Sequence, residues 1–407
     1  MTPISNSHYL LKIISVPASL IRQNEMVRLL GLRRLSIAIT FFTCGFFVNI
    51  AQLLLTILVK PIDKKLFRTL MYYPCYSFYS LLVFVAEWYA GCKMRVFIDP
   101  EDEKKFYGKE HGLLIMNHTY EIDWLTAWMV TEKFGVLGNT KAYAKKAIRY
   151  APILGWAWWL AEFVFLNRDF EKDKQIIAHQ LKVLYSYPDP VWILLNAEGT
   201  RFTESKHKLS VKFAEEHGMT VLKHHLIPRS KGFTTSLPTL RGICPVIYDL
   251  NLAFKRDEKT PASMLSLLNG DAVEPYMYLR RIPLDQVPED ETKAAAWLQQ
   301  LYVEKDRLID SFHETGSFFK TSGFKEVPGK IYKPRLSSAI NYLTWASFSI
   351  LCILYYLISS LLAGNLIAFT VAFSTLGLFY WLMETAVNVS RISKGSTYGT
   401  GASPKTK

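Results

Sequence analysis

The sequence predicts an α/β domain with a mixed, partly parallel sheet, anchored by membrane helices on both its N-terminal and C-terminal sides. Two observations predict this class. Long apolar runs lie towards both ends of the chain, and between them short β-rich runs alternate with helical stretches at globular charge density. The composition agrees, because only 20% of the 407 residues are charged while 50% are hydrophobic.

The first apolar run, Leu35–Val59, carries no charge and is long enough to cross a hydrocarbon core of roughly 30 Å. The stretch before it is interrupted by charges and lacks a small-residue cleavage site, so we expect no removable signal peptide. A second run, Met71–Gly91, is rich in aromatic residues and is broken by Pro74 and Glu87. That pattern predicts an interfacial or partly inserted helix.

The middle of the chain supplies the predicted sheet and its helices. The predicted strands are Met94–Ile98, Gly112–Met116, Val191–Leu195 and Ile243–Leu250, and the predicted helices include Asp169–Tyr187 and Glu291–Glu314. Apolar character returns over Ala339–Leu382, interrupted near Gly364, which predicts two short helices in a membrane hairpin. The tail from Arg391 is rich in Ser, Gly and Lys and is predicted to be disordered.

These patterns divide the chain into five parts. They are an N-terminal segment (1–34), a membrane-anchoring helix pair (35–91), a catalytic domain (92–330), a C-terminal membrane hairpin (331–385) and a disordered basic tail (386–407).

The net charge of +13 suits an anionic membrane surface or phosphorylated substrates. No nucleic-acid-binding motif appears, and the basic residues are scattered among apolar stretches, so we expect no nucleic-acid partner. The five cysteines show no paired spacing, which argues against a disulfide scaffold or a zinc ribbon.

His118 and Asp123 stand five residues apart immediately after the strand Gly112–Met116. Residues five apart diverge by about 140° on a helix, so the pair can meet only if His118 lies in the loop and Asp123 in the first turns of the following helix. Asn117 or Thr119 would then cap that helix. A carboxylate on one imidazole nitrogen leaves the other as a base, although this segment taken alone is more simply explained as a capped helix start with a structural histidine.

A second polar segment, Glu198-Gly199-Thr200-Arg201, also follows a buried strand. Gly199 would let the backbone approach a ligand, and Arg201 could hold phosphate with two parallel hydrogen bonds. Alone this segment reads as a surface turn, but two such loops at strand ends favour a shared site.

Together these segments resemble the glycerolipid acyltransferase family, which is defined by an Asn-His-x4-Asp block and a Glu-Gly-Thr-Arg block. The family's second block resembles Phe165-Leu166-Asn167-Arg168, and its fourth resembles Ile243-Cys244-Pro245-Val246. Five further segments are similar to the gamma and delta subgroup of the 1-acylglycerol-3-phosphate acyltransferases, namely 134–138, 144–146, 152–156, 231–235 and 394–399. Pro245 departs from that subgroup and leaves the subgroup and the preferred acceptor open.

The resemblance implies roles for named residues. His118 would be the general base for the acceptor hydroxyl, and Asp123 the carboxylate that orients it. The implied substrate-binding residues are Asn117, Lys145, Arg168, Glu198, Gly199, Thr200 and Arg201. Of these, Arg168, Gly199 and Arg201 would bind the acceptor phosphate and Glu198 would shape the site. Lys145 is a weaker candidate, because a solvated Lys-Lys face explains it as well.

The resemblance also implies direct transfer from acyl-CoA to lysophosphatidic acid on a glycerolipid-acyltransferase-like domain. Acyl-CoA is then a substrate, and we expect neither a cofactor nor a metal, nor an obligate protein partner. A covalent acyl-enzyme is disfavoured because no Ser or Cys stands in a nucleophile-elbow pattern. We expect a multi-pass protein of the endoplasmic reticulum membrane with its catalytic face on the cytosolic side.

Two alternatives remain open from the sequence. One is the same chemistry on another lysophospholipid, such as lysophosphatidylinositol. The other is a non-catalytic scaffold that binds anionic lipid.

Several other residues have two readings. His207, His224 and His225 are expected to be surface or structural residues rather than metal ligands. Trp156, Trp158 and Trp159 would line an acyl tunnel or form part of a core or membrane-interface belt. Asn117-His118-Thr119 is a glycosylation sequon, so a working site requires that topology or folding hide the asparagine.

Overall fold

The computed structural model describes residues 18–167, 169–256 and 259–391. A single eight-stranded sheet forms its centre, helices cover both faces, and long apolar helices lie at both ends of the chain. This architecture confirms the predicted fold class.

The sheet is mixed, as predicted. Its strands are β1 (Arg95–Phe97), β2 (Gly112–Met116), β3 (Thr140–Lys145), β4 (Val164–Leu166), β5 (Trp192–Leu195), β6 (Val246–Ala253), β7 (Tyr276–Pro283) and β8 (Gly329–Ile331). They are ordered β4-β3-β5-β2-β6-β7-β1-β8. The first five in that order run parallel, β7 is antiparallel to β6, β1 is parallel to β7, and β8 is antiparallel to β1.

Helices connect these strands and flank them. They are α1 (Ala18–Leu54), α2 (Lys64–Phe84), α3 (Pro100–Lys105), α4 (Asp123–Lys133), α5 (Leu154–Leu160), α6 (Phe170–Leu184), α7 (Glu204–Glu216), α8 (Ser230–Leu240), α9 (Met264–Asn269), α10 (Glu291–Thr315), α11 (Leu336–Leu362) and α12 (Leu366–Ser390). Short π-helical turns, Leu55–Val59 and Val85–Tyr89, extend α1 and α2.

Within the part of the chain that the structure describes, four helical stretches are long and apolar enough to cross a membrane, which indicates a membrane protein. They are Leu30–Val59, Lys64–Tyr89, Leu336–Leu362 and Leu366–Ser390. Helix α2 begins before the predicted run, at Lys64, and continues through Pro74. The proline therefore does not interrupt the helix. Asp63 caps this helix by accepting the backbone N–H groups of Lys65 and Leu66.

The C-terminal hairpin turns at Gly364, as predicted, with φ of 64°. Asn365 then caps α12 through the backbone N–H of Ala368, at 3.0 Å. The prediction of short helices was wrong, because α11 has 27 residues and α12 has 25. Helix α12 continues to Ser390, which agrees with a tail from Arg391 but lies past the boundary drawn at residue 386.

The sheet buries both faces, because alternate residues of each strand point to opposite sides. On β2, Leu114 and Met116 pack towards α2 and α4, whereas Leu113 and Ile115 pack towards α6, α8 and α10. All five residues of β2 are buried, as expected for a central parallel strand. The loop that follows β2 therefore begins at a strand whose position is fixed by packing on both faces.

Candidate active site

The candidate site lies where the parallel strands end. Strands β2 and β5 are adjacent and parallel, with Ile115 opposite Leu195. The loops that follow them begin at Asn117 and Asn196 and so leave the sheet at the same edge. Ligands of α/β sheets commonly bind at this edge.

His118 and Asp123 meet across the loop between β2 and α4. His118 Nδ1 lies 2.7 Å from Asp123 Oδ2, and Asp123 is the first residue of α4. The other carboxylate oxygen accepts the backbone N–H of Trp124 at 2.9 Å. This is the arrangement that the five-residue spacing requires.

The dyad is buried at its carboxylate and accessible at its ring. The Asp123 side chain is 1% exposed and the His118 side chain 19%. An ionised carboxylate only accepts hydrogen bonds, so the bond assigns the ring proton to Nδ1 and leaves Nε2 as the basic nitrogen. The arrangement is suited to proton abstraction from a bound hydroxyl group.

Glu198 connects the two loops. Its Oε1 accepts the backbone N–H of His118 at 3.0 Å, and its Oε2 accepts that of Leu226 at 3.2 Å. The side chain is buried, and this burial raises the pKa of Glu198 above its ordinary value despite the nearby His225 and the two amides. Glu198 therefore holds the shape of the site, because its oxygens are already used by the protein.

A second bond locks the loops together. The backbone N–H of Phe202 donates to the carbonyl oxygen of His118 at 2.8 Å. The Glu198 side chain and the Phe202 backbone N–H, on either side of Arg201, thus fix the segment 198–202 to the loop that carries the histidine. The two loops converge, as the sequence analysis supposed.

Gly199 and Thr200 shape the turn between Glu198 and Arg201. Gly199 has φ of 70°, and a Cβ placed there would approach Arg229 Cδ to 3.1 Å. Thr200 Oγ1 accepts a hydrogen bond from Lys206 Nζ at 2.7 Å. The threonine hydroxyl is therefore hydrogen-bonded to Lys206, in the first turn of α7.

Arg201 extends from this turn towards the C-terminal hairpin. Its Nη1 donates to the carbonyl oxygen of Ser390, the last residue of α12. The side chain is only partly buried. A membrane helix distant in sequence thus touches the arginine that the sequence analysis assigns to phosphate.

Another predicted residue, Lys145, lies at the end of a neighbouring strand. Lys145 is exposed at the carboxyl end of β3. Arg168 lies outside the described residues, but Asn167 beside it donates both its backbone N–H and its side-chain amide to Asp173 Oδ1, at 2.8 and 3.1 Å. The loop after β4 is thereby held by α6.

Asn117 does not cap α4, and that prediction was wrong for Thr119 as well. The N-cap position is Ile122, without a side-chain cap. The Asn117 amide instead forms paired bonds of 2.9 Å with the backbone N–H and carbonyl of Leu252, at the end of β6. A buried asparagine bonded in this way is hidden from glycosylation by folding, which is one of the two possibilities that the sequon required.

Pro245, the residue that departs from the gamma and delta subgroup, lies away from His118. Pro245 precedes β6, and β6 runs parallel to β2. The proline therefore lies at the amino ends of these strands, whereas His118 lies at their carboxyl ends. Its carbonyl accepts the backbone N–H of Leu284 at 2.9 Å. Pro245 therefore belongs to the amino end of the sheet.

Buried polar groups that were not predicted from the sequence hold the segment next to Glu198. His225 Nδ1 lies 2.9 Å from Asp306 Oδ1. Asp306, on α10, also accepts the backbone N–H groups of Lys223 and His224, each at 2.8 Å. It thus fixes the segment that presents Leu226 to Glu198.

A buried ion pair lies beside this group. Lys305 Nζ, also on α10, donates to Asp249 Oδ1 at 2.6 Å and to the carbonyl of Leu250 at 2.7 Å. Both charged side chains are fully buried. The pair ties α10 to β6 on the side of the sheet opposite α4.

The other two histidines weighed as possible metal ligands, His207 and His224, have protein partners. His207 Nε2 lies 2.7 Å from the carbonyl of Leu222, and His224 Nε2 lies 2.9 Å from Asp310 Oδ1. Within the described ranges, no group of three or more His, Cys, Asp or Glu side chains is arranged to hold a metal ion. All five cysteines are free thiols.

The three tryptophans of 156–159 separate into two environments. Trp158 stacks on Phe163 with ring centroids 4.8 Å apart and packs against the core. Trp156 and Trp159 point outward and are nearly half exposed. Their exposure is compatible with a membrane-interface belt.

Comparison with known proteins identifies two matched regions. Residues 98–246 match the acyltransferase family, and residues 266–345 match the acyltransferase C-terminus. The chain is 39% identical over 363 residues to 1-acyl-sn-glycerol-3-phosphate acyltransferase delta of Rattus norvegicus, covering 88% of this chain and 92% of the relative. It is 38% identical over 367 residues to the gamma protein of Homo sapiens, covering 90% and 94%.

Proposed function

Because the chain belongs to the acyltransferase family that includes the gamma and delta 1-acyl-sn-glycerol-3-phosphate acyltransferases, we propose that it acylates lysophosphatidic acid. The acyl chain would come from acyl-CoA and be transferred to the sn-2 hydroxyl of 1-acyl-glycerol-3-phosphate. The products would be phosphatidic acid and coenzyme A. The names of the relatives support lysophosphatidic acid as the acceptor. The identity of the donor, acyl-CoA, is our own proposal.

The observation that carries the proposal is the His118–Asp123 dyad held against the segment 198–202. His118 Nε2 removes the proton from the acceptor hydroxyl as its oxygen attacks the thioester carbonyl. Asp123 stabilises the imidazolium that forms. The carbon–sulfur bond then breaks, and the departing thiolate takes up the proton from the imidazolium, so the base is regenerated.

Phosphate recognition would rest on Arg201, together with Lys145 at the end of β3 and Arg168, which follows β4 in the sequence. A guanidinium pairs with two phosphate oxygens through parallel N–H groups. Gly199, with its positive φ, keeps the turn compact beside the arginine. Glu198 would shape the phosphate site by accepting hydrogen bonds from two backbone N–H groups.

The membrane supplies both the setting and the acceptor. The four candidate spanning helices among the described residues flank the catalytic domain in sequence, so a lysophospholipid could reach the site from the bilayer. We place the protein in the endoplasmic reticulum membrane with the site facing the cytosol, where acyl-CoA is made. Bilayer phospholipid and the two substrates are the only partners that this function requires.

The experiment is product identification with the purified full chain in phospholipid nanodiscs. The chain receives acyl-CoA with either lysophosphatidic acid or lysophosphatidylinositol, and the lipid products are identified by mass spectrometry. We expect phosphatidic acid to form faster than phosphatidylinositol. Faster acylation of lysophosphatidylinositol would identify the other acceptor, and binding of both lipids without any product would identify a scaffold.

A further inference from the structure

The contact between Arg201 and the end of α12 has no role in the reaction as proposed so far. Arg201 Nη1 donates to the carbonyl oxygen of Ser390, where α12 ends. The last carbonyls of a helix lack intrahelical partners and carry the negative end of the helix dipole. A guanidinium is therefore a favourable partner for this helix end.

Other contacts hold the end of α12 in place. Glu384 Oε1 lies 3.1 Å from Arg34 Nη1 on α1, and Arg34 also donates to Asn269 on α9. Met383 and Val387 are buried against the core. The position of the Ser390 carbonyl is thus determined by contacts that do not involve Arg201.

The backbone of Arg201 is equally well fixed. Its carbonyl accepts Lys206 Nζ at 3.3 Å, and the next backbone N–H, that of Phe202, donates to His118. The arginine is therefore held at its backbone against the loop of the base and at one terminal nitrogen against α12. Its guanidinium spans the gap between these two points.

A guanidinium has five N–H donors, and one anchored nitrogen leaves most of them for a ligand. When Nη1 is bound to Ser390, the edge formed by Nε and Nη2 retains the parallel geometry that matches two phosphate oxygens. Anchoring also reduces the rotamer freedom that a long side chain loses when it binds. The helix end therefore prepares the arginine for a phosphate group.

We propose that the carbonyl end of α12 is a positioning element of the acceptor site and orients Arg201 towards the phosphate of the lysophospholipid. This inference rests on the proposed function. It makes the C-terminal hairpin a part of the acceptor site as well as a membrane anchor. The positioning group is a main-chain carbonyl, so only a change in the backbone of the last turn removes it.

The test compares two double variants that differ only in helix propensity. Asn388→Gly with Val389→Gly frays the last turn, whereas Asn388→Ala with Val389→Ala keeps it helical, and both leave Ser390 unchanged. We measure kcat and the KM values for lysophosphatidic acid and for acyl-CoA in nanodiscs. Thermal unfolding checks that both variants remain folded.

The glycine pair should raise the KM for lysophosphatidic acid by about fivefold to tenfold relative to the alanine pair. Its kcat and its KM for acyl-CoA should match those of the alanine pair. In an Arg201→Ala background, the glycine pair should have no further effect. Equal KM values for the two pairs, or the same increase in the Arg201→Ala background, would overturn the inference while leaving the proposed function intact.

Two other results would affect more than this inference. An Arg201→Ala enzyme with an unchanged KM for lysophosphatidic acid would remove the phosphate role of Arg201 and this inference with it. A chain that transfers no acyl group under any condition would contradict the proposed function itself.

Discussion

The backbone N–H of His118 donates to Oε1 of Glu198 at 3.0 Å, so the two loops of the candidate site share one buried carboxylate. The second oxygen of Glu198 accepts the backbone N–H of Leu226. The Glu198 side chain thus fixes the position of the loop that carries His118. Its substitution should affect both stability and catalysis.

Glu198→Gln should lower the free energy of unfolding by about 1–3 kcal/mol, because an amide offers one acceptor where two buried N–H groups need one each. Chemical denaturation of the detergent-solubilised protein measures this loss. Glu204→Gln, at an exposed position in the first turn of α7, is the matched control. Equal effects of the two substitutions would show that the buried bonds contribute nothing.

Asp123→Asn should lower kcat by about 10²-fold to 10⁴-fold, because an asparagine no longer stabilises the imidazolium or selects the Nδ1–H tautomer. The KM for lysophosphatidic acid and binding to phosphatidic-acid vesicles should remain within about twofold, since the carboxylate does not touch the acceptor. Asp271→Asn, at an exposed loop position, controls for the loss of an acidic residue. A kcat that stays near the wild-type value would mean that the dyad is structural.

Arg201→Ala should raise the KM for lysophosphatidic acid by about tenfold to a hundredfold, as expected for the loss of a charge-assisted pair with phosphate. The effect on lysophosphatidylinositol should be smaller, because its phosphodiester carries less charge. Steady-state kinetics with both acceptors gives the ratio. Arg307→Ala, at an exposed position on α10, is the control. An equal rise in the KM of Arg201→Ala for both acceptors would argue against recognition of the phosphate monoester.

Asp306 should contribute to stability in a pH-dependent way. Burial alone would raise the pKa of Asp306, but the bond from His225 and the two backbone amides hold it below the ordinary value of 3.8. The ionised carboxylate therefore stabilises the fold above that ordinary pKa, and this contribution is lost as the pH falls through the lower folded value.

Wild type should thus exceed Asp306→Asn in unfolding free energy near neutral pH, and the gap should shrink below about pH 4. Urea denaturation at a series of pH values measures the gap. Asp285→Asn, at an exposed position in the turn after β7, should show no such dependence on pH. A gap that stays constant down to the lowest pH would contradict the assignment.

Much of the frame was predictable, because it depends on local patterns. The strand Gly112–Met116 was predicted with its observed bounds, since a short apolar run between turn signals leaves few alternatives. The sequence did not predict β3 and β7, which contain charged residues, nor β4 and β8, which have only three residues each. Short or charged strands form because neighbouring strands pair with them, and a sequence window does not contain that information.

The site was predictable where its residues are close in sequence. The spacing of His118 and Asp123 required a loop followed by a helix, and the structure has that arrangement. The Asp306 and Ser390 contacts join segments far apart in the chain, so no spacing rule reveals them. Asn117 misled the capping prediction because its amide pairs with the backbone of Leu252, on a distant strand.

The most direct test of the account is the rate of coenzyme A release by purified wild-type and His118→Ala proteins, each in nanodiscs with saturating acyl-CoA and lysophosphatidic acid. If His118 is the base, the wild type should release coenzyme A steadily, and the variant should be slower by about 10³-fold or more. A His118→Ala protein that turns over at a rate close to wild type would contradict the account.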